Sequence, residues 1–232
     1  MIKCLHCRGY FTEPLNAVTL FKPATLFCKQ CTKLWEKVKI KDNIKRCSRC
    51  LKYLSTEEPT CLDCKYLESN YTLMDQLYCQ FQYDGVMKDL IRRYKFDKDV
   101  ALCEQFASMM NLPKQHYDLI IPIPSPKERD YQRTFNPIRM VLSQMRIQYK
   151  AVLTMDYREK QANLPKSNRI NARNPFHVID DIDLTHAQVL LVDDIYTTGL
   201  TVHQAAENFL LEKSENSMCL RLHGSINVVL YE

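Results

Sequence analysis

Eight of the eleven cysteines fall into four Cys-x-x-Cys pairs within the first 64 residues: Cys4/Cys7, Cys28/Cys31, Cys47/Cys50 and Cys61/Cys64. A tetrahedral ion wants four thiolates and two such pairs supply them, so the eight ligands suit two Zn²⁺ ions. A sequential grouping puts Cys4, Cys7, Cys28 and Cys31 on one ion and Cys47, Cys50, Cys61 and Cys64 on the other. An interleaved cross-brace, which swaps the middle pairs, satisfies the same spacing. A second constellation lies between Val189 and Thr201. Two adjacent carboxylates, Asp193 and Asp194, precede the hydroxyls of Thr197, Thr198 and Thr201, which surround Gly199. Hydroxyls and free backbone N–H groups at a helix start hold a phosphate. Carboxylates would repel it, and instead accept hydrogen bonds from sugar hydroxyls or help hold Mg²⁺. The two halves together describe a site for a ribose 5-phosphate.

These residues need particular elements to position them. Val189 to Val192 is an uninterrupted apolar run, the pattern of a short strand buried on both faces of a parallel sheet. Open α/β sheets receive ligands at the carboxyl ends of such strands. Val202, Ala205, Ala206, Phe209 and Leu210 then recur at helical spacing, so the threonine turn opens a helix. Earlier in the chain, Leu77–Tyr83 reads as a strand and Asp84-Gly85 as its turn. Val86, Leu90, Ile91 and Tyr94 mark a helix that stops at Tyr94-Lys95-Phe96-Asp97, which leaves Lys95 on a loop or facing a pyrophosphate. Leu102 to Met110 reads as another helix. Asp118–Ile123 is a buried strand entering a loop stiffened by Pro122, Pro124 and Pro126, with Lys127, Arg129 and Arg133 beyond it. Ala151–Leu153 and Ile226–Leu230 complete the expected strands. The polar run from Tyr157 to Asn171 is either a lid whose cations close on phosphate or a solvated loop.

Composition narrows the field. With 232 residues, 46% hydrophobic and 25% charged, the chain is of globular type and has room for one domain plus a small module. No apolar run approaches the roughly 20 residues of a membrane span, and no apolar leader follows Met1, so a cytoplasmic location is expected. Disulfides would need an oxidising compartment, which favours metal as the reason for the cysteine pairs. Residues 1–66 carry thirteen Lys and Arg against six Asp and Glu. Lys33, Lys37, Lys39, Lys41, Lys45 and Arg46 make this segment a possible nucleic-acid footprint, although eight thiolates on two Zn²⁺ would offset part of the surplus. Trp35 either stacks a base or fills the core of a small metal module. A segment so short, with no long periodic element, depends on metal for its folding free energy.

The stretch from Val189 to Thr201 resembles the phosphoribosyl pyrophosphate (PRPP) signature of type I phosphoribosyltransferases. In that family the acidic pair holds the ribose 2- and 3-hydroxyls and the threonine/glycine loop holds the 5-phosphate. The whole chain resembles the ComF family, the competence-associated phosphoribosyltransferase-like proteins of bacteria. The likeness is carried by the cysteine pairs, Tyr83-x-Gly85, Lys95-Phe96 with Asp99, Pro122-Ile123-Pro124, Arg133-x-Phe135-Asn136, Arg158 with Gln161 and Leu164, Arg169-x-Asn171 before Phe176, and the PRPP motif.

The resemblance implies an α/β fold with a type I phosphoribosyltransferase-like parallel sheet flanked by helices, preceded by a small zinc-ribbon-like module. Residues 1–66 would be the double zinc ribbon-like module and 67–232 the phosphoribosyltransferase-like domain. It further implies PRPP binding with Mg²⁺ through Asp193, Asp194, Thr197, Thr198, Gly199 and Thr201. The role would be in natural transformation, handling incoming single-stranded DNA beside an uptake helicase or ATPase. If the chain is catalytic, Lys160, Lys166 or Arg169 would stabilise the departing pyrophosphate. Alternatives are a nucleotide-salvage phosphoribosyltransferase and a non-catalytic scaffold that docks the helicase. The family commonly has Arg-Gly-Phe-Asn-Gln where this chain has Arg133-Thr134-Phe135-Asn136-Pro137. Loss of the glycine restricts the backbone there, and loss of the glutamine removes a polar contact.

Overall fold

The computed structural model describes residues 1–14, 16–17, 19–21, 25–41, 43–55, 57–156, 174–179, 187–211, 221–223 and 226–227. Its elements in chain order are β1 (Ile2–Lys3), β2 (Tyr10–Phe11), α1 (Lys29–Val38), α2 (Leu62–Glu68), β3 (Tyr78–Cys79), α3 (Gly85–Phe96), α4 (Leu102–Met109), β4 (Leu119–Pro122), α5 (Lys127–Arg133), α6 (Pro137–Gln144), β5 (Leu153–Met155), β6 (Phe176–Val178), β7 (Gln188–Val192), α7 (Leu200–Leu211), β8 (Arg221–His223) and β9 (Ile226–Asn227).

β7 is the middle strand of a parallel trio, β4-β7-β8. Leu119 to Pro122 pair in register with Val189 to Val192, and Gln188 to Leu190 pair with Arg221 to His223. Successive side chains of a strand point to opposite faces, and the two cores follow that alternation. Val189 and Leu191 join one cluster with Val202, Ala205, Ala206 and Phe209 of α7. Leu190 and Val192 join the other with Leu90, Ile91 and Tyr94 of α3, Phe106 of α4 and Leu142 of α6. The α/β class with a parallel sheet between helices is therefore as expected. β5 and β6 form a separate antiparallel pair, and β3 pairs with β9 in parallel.

The cysteine-bearing segment contributes to both cores. Trp35 and Val38 of α1 belong to the cluster on the α3 side, while Cys47, Cys50, Leu54, Cys61 and Cys64 belong to the cluster on the α7 side. Trp35, 3% exposed, packs edge-on against Phe81 and His6, so it fills the core and offers no face to a base.

Several elements differ from the sequence reading. α3 runs on through Lys95 to Phe96, because Tyr94 is buried and the turn that follows is capped by the Asp97 N–H on Arg93 O. The strand expected over Leu77–Tyr83 is only Tyr78–Cys79. α1, α2, α5 and α6 had no clear periodic signal. α1 buries only Cys31, Trp35 and Val38, too narrow a stripe to stand out among lysines. At the family departure, Thr134 adopts φ 73°, the left-handed conformation in which glycine is at ease. Pro137 opens α6 at its first turn behind the Asn136 cap, where a missing N–H costs nothing.

Candidate functional site

The eight N-terminal cysteines gather sequentially: Cys4, Cys7, Cys28 and Cys31 in one group and Cys47, Cys50, Cys61 and Cys64 in the other, each with its sulfurs within 4.8 Å of one another. Zn–S bonds of about 2.3 Å in a tetrahedron place sulfurs about 3.8 Å apart. The separations Cys7–Cys28 of 3.9 Å, Cys47–Cys64 of 3.8 Å and Cys50–Cys61 of 3.5 Å match that edge. The donor set and its spacing thus fit the ion.

One backbone plan serves both groups. The first cysteine pair sits in a knuckle closed by Arg8 N to Cys4 O (2.9 Å) and, in the second copy, Leu51 N to Cys47 O (2.9 Å). Arg8 and Leu51 both take positive φ, 61° and 63°. The second pair opens a helix, with Cys28 as the cap of α1 and Cys61 as the cap of α2. Helix N-termini favour thiolates. Without a cation the groups are uncomfortable. Burial pushes the Cys61 thiol up to about 11 and raises Cys31 further, while a hydrogen bond with Cys50 and burial raise Cys64. The groups differ in cover: Cys7 is exposed and Cys28 half-buried, whereas all four members of the second group are buried.

The acidic pair emerges at the carboxyl end of β7, beside the proline loop that leaves β4. The strands are in register to Pro122 and Val192, and Ile123 N continues the ladder to Val192 O at 2.8 Å. Asp193 Oδ1 accepts from the Asp194 N–H at 2.8 Å. Asp194 is ion-paired with Lys95, which comes from the last turn of α3 rather than from a loop. Burial pushes the Asp193 carboxyl up to about 7, the neighbouring Asp194 charge adds to the rise, and the Asp194 N–H and Lys95 oppose it. A small cavity of about 20 Å³ lies beneath, lined by Tyr94, Lys95, Pro137 and Asp194 among others.

The turn then enters α7. Thr197 and Thr201 are exposed, Thr198 half-buried and Gly199 buried. Gly199 has φ 80°, and a Cβ there would fall 2.7 Å from Tyr196 Cζ, so only glycine fits. The Gly199 carbonyl accepts from the His203 N–H at 3.1 Å and lies 2.7 Å from His203 Nδ1. The sequence did not mark Tyr196 or His203, whose signal was masked by the motif around them. At the β4 end, Asp130 is held by Ser125 and by Asn136 Nδ2, the latter at 2.8 Å. Lys127 is exposed and Arg129 and Arg133 are half-buried on α5. The structure thus brings together Asp193, Asp194, Thr197, Thr198, Gly199 and Thr201. Lys160, Lys166 and Arg169, with Arg158, Gln161 and His186, lie outside the described residues. His177 sits on β6, with Nε2 2.8 Å from Asp156 Oδ2, an ordinary surface pair. Among the described residues, no helix is long and apolar enough to cross a membrane.

No family model matches the chain. Among curated proteins it is 29% identical to the competence protein ComFC of Streptococcus pneumoniae, over 92% of this chain and 94% of that protein. It is 28% identical to ComFC of Bacillus subtilis, over 91% and 90%, and 24% identical to competence protein F of Haemophilus influenzae, over 88% and 89%. Among solved structures, a hypoxanthine phosphoribosyltransferase from Staphylococcus aureus matches at 14% identity with a TM-score of 0.30, covering 58% of this chain and 62% of that one. Matched nearly end to end by three competence proteins, and with its eight cysteines gathered into two metal-ready groups, the chain is a member of the ComF family.

Proposed function

We propose that residues 193–201 bind PRPP and that the chain serves competence, handling incoming DNA in natural transformation. The observation that carries the ligand reading is the order of groups along one strand–turn–helix: two carboxylates leaving the central parallel strand, then exposed threonines at the N-terminus of α7. The 5-phosphate would accept from the first-turn N–H groups of α7 and the hydroxyls of Thr197, Thr198 and Thr201. Asp193 and Asp194 would accept from the ribose hydroxyls, with Lys95 released from Asp194 towards the pyrophosphate. Mg²⁺ arriving with PRPP supplies charge neutralisation at the diphosphate. The competence role rests on the relatives' names, and the two cysteine groups are taken as Zn²⁺ sites.

In a catalytic version, pyrophosphate leaves the anomeric carbon through an oxocarbenium-like state, and the protein acts by position and electrostatics. Lys160, Lys166 and Arg169 are the cations proposed to meet the leaving charge. Division at residue 66 into a zinc module and a phosphoribosyltransferase-like domain is retained as the proposed organisation. Titration calorimetry with Mg²⁺ and PRPP on the wild type and on Asp193→Ala/Asp194→Ala tests the site. Binding heat that vanishes in the double variant is expected, and identical heats in both proteins would refute it. Turnover of PRPP with a free base would move the reading to salvage.

A further inference from the structure

The second cysteine group lies behind the turn that opens α7, and two independent routes join them. Tyr196 is the first. It stands between the acidic pair and the threonines, is 2% exposed, and shares one buried cluster with Cys47, Cys50, Cys61 and Cys64. Its ring is so close to Gly199 that no Cβ could be accommodated there. Burial raises the phenol's pKa, and the negative charge of those four sulfurs raises it further, which independently puts the ring beside them.

The second route runs through α2, the helix that Cys61 and Cys64 open. At its far end the Tyr71 N–H donates to Leu67 O at 2.8 Å, and the Tyr71 ring lies 6.2 Å from that of His203. His203 is 2% exposed and holds the Gly199 carbonyl from both its N–H and its ring. Burial, joined by the nearby Arg49 charge from the second knuckle, keeps this imidazole below its usual pKa. The turn is therefore fixed from one side by a phenol ring and from the other by a neutral histidine, both backed by the second cysteine group.

We propose that the second cysteine group, once it holds zinc, is the floor on which the phosphate-binding turn is built, with Tyr196 as the positioning residue between them. Retention of that metal and ligand affinity at the turn are then one linked equilibrium. This rests on the PRPP reading for its ligand, but the link itself is a property of the chain. Packing transmits small shifts because close-packed side chains have no slack. Linkage requires the effect to be reciprocal. A ligand that orders the turn slows zinc loss from Cys47, Cys50, Cys61 and Cys64, and loss of that zinc weakens the ligand. The first group packs on the opposite side of the sheet and is left out of the coupling.

The test uses the full zinc-loaded chain, with Tyr196→Phe, Tyr196→Leu and Tyr196→Ala variants. Amide hydrogen exchange is read at residues 197–203, and zinc release to a chromophoric chelator is followed with and without Mg²⁺ and PRPP. A Cys28→Ser variant assigns the release phase of the first group. Tyr196→Phe should behave as the wild type. Tyr196→Ala, or Tyr196→Leu should the alanine variant fail to fold, should speed both turn exchange and second-site zinc loss about tenfold, within the usual range of coupling. PRPP should slow the second release phase and leave the first alone. Unchanged exchange and zinc release in the leucine or alanine variant would overturn the proposal, as would a purified chain with no zinc at the second group. A wild type that binds no PRPP refutes the ligand reading, while the exchange and metal-release results still decide the link.

Discussion

Asp193 is the residue whose chemistry is most altered by its place. Its neighbours are Asp194, Lys95 of α3 and, through Asp194, Tyr94. A carboxyl with a pKa raised to about 7 stabilises the fold fully below the ordinary carboxylate range, and that contribution is lost as pH rises through neutrality. Ligand binding has the opposite sign, because only the ionised form accepts from two sugar hydroxyls. PRPP affinity should rise about tenfold from roughly pH 6 to pH 8, tracking the fraction ionised. Calorimetry at several pH values checks this, with Asp193→Asn as the control that removes the component due to this group. Thr134 makes a second prediction at this scale. A β-branched residue held at φ 73° is strained, so Thr134→Gly should stabilise the chain by about 1 kcal/mol, offset in part by the freedom of glycine in the unfolded state. The urea midpoint is the readout, and a lower midpoint would contradict it.

Among elements, α1 offers the surface for the DNA reading. It buries Cys31, Trp35 and Val38 and leaves Lys33 and Lys37 exposed. Other cations of this segment are engaged: Lys39 with Glu36, Lys45 with Glu57, and Arg46 with the Leu51 carbonyl. If single-stranded DNA binds here, Lys33→Glu/Lys37→Glu should weaken it and flatten its salt dependence by about one unit of slope. Fluorescence titration at two salt concentrations measures both, and equal slopes would discount α1. The central strand, the acidic pair and the threonine turn were legible because β7 and α7 each carry an unmistakable apolar period over local sequence. Lys95 was misread as a loop residue, since four consecutive letters cannot reveal that Tyr94 is buried and keeps the helix going. The sequential cysteine grouping was not legible, because both groupings satisfy the same spacing and only the knuckle-and-helix plan separates them. Tyr196 and His203 were invisible for a similar reason, as their partners are distant in sequence.

At the scale of the molecule, the first 66 residues do not sit apart from the sheet; their side chains enter the cores on both of its faces. A chain beginning at residue 67 would expose both, so it should aggregate or bind a hydrophobic dye where the full chain does not. The first group is further held by Asp99, which accepts from Arg8 at 2.6 Å and Arg93 at 2.9 Å. Burial alone would raise this carboxyl, but hydrogen bonds from Arg93 and Arg8 outweigh it and hold it below the usual range. The stability it provides is present above the ordinary carboxylate pKa and fades as pH falls through its lowered value. Asp99→Ala should cost about 1–3 kcal/mol, the range for a charged hydrogen-bonded partner removed from a partly covered site. Thermal unfolding near neutral pH reads it.

The unequal cover of the two cysteine groups carries a chemical consequence. An alkylating agent or peroxide diffusing up to the molecule meets the sulfur of Cys7 at once, whereas Cys47, Cys50, Cys61 and Cys64 are shielded until the fold opens. The duplicated clip would therefore age from one end: its outward copy wears first under oxidative attack, while the inward copy survives as long as the sheet stays closed.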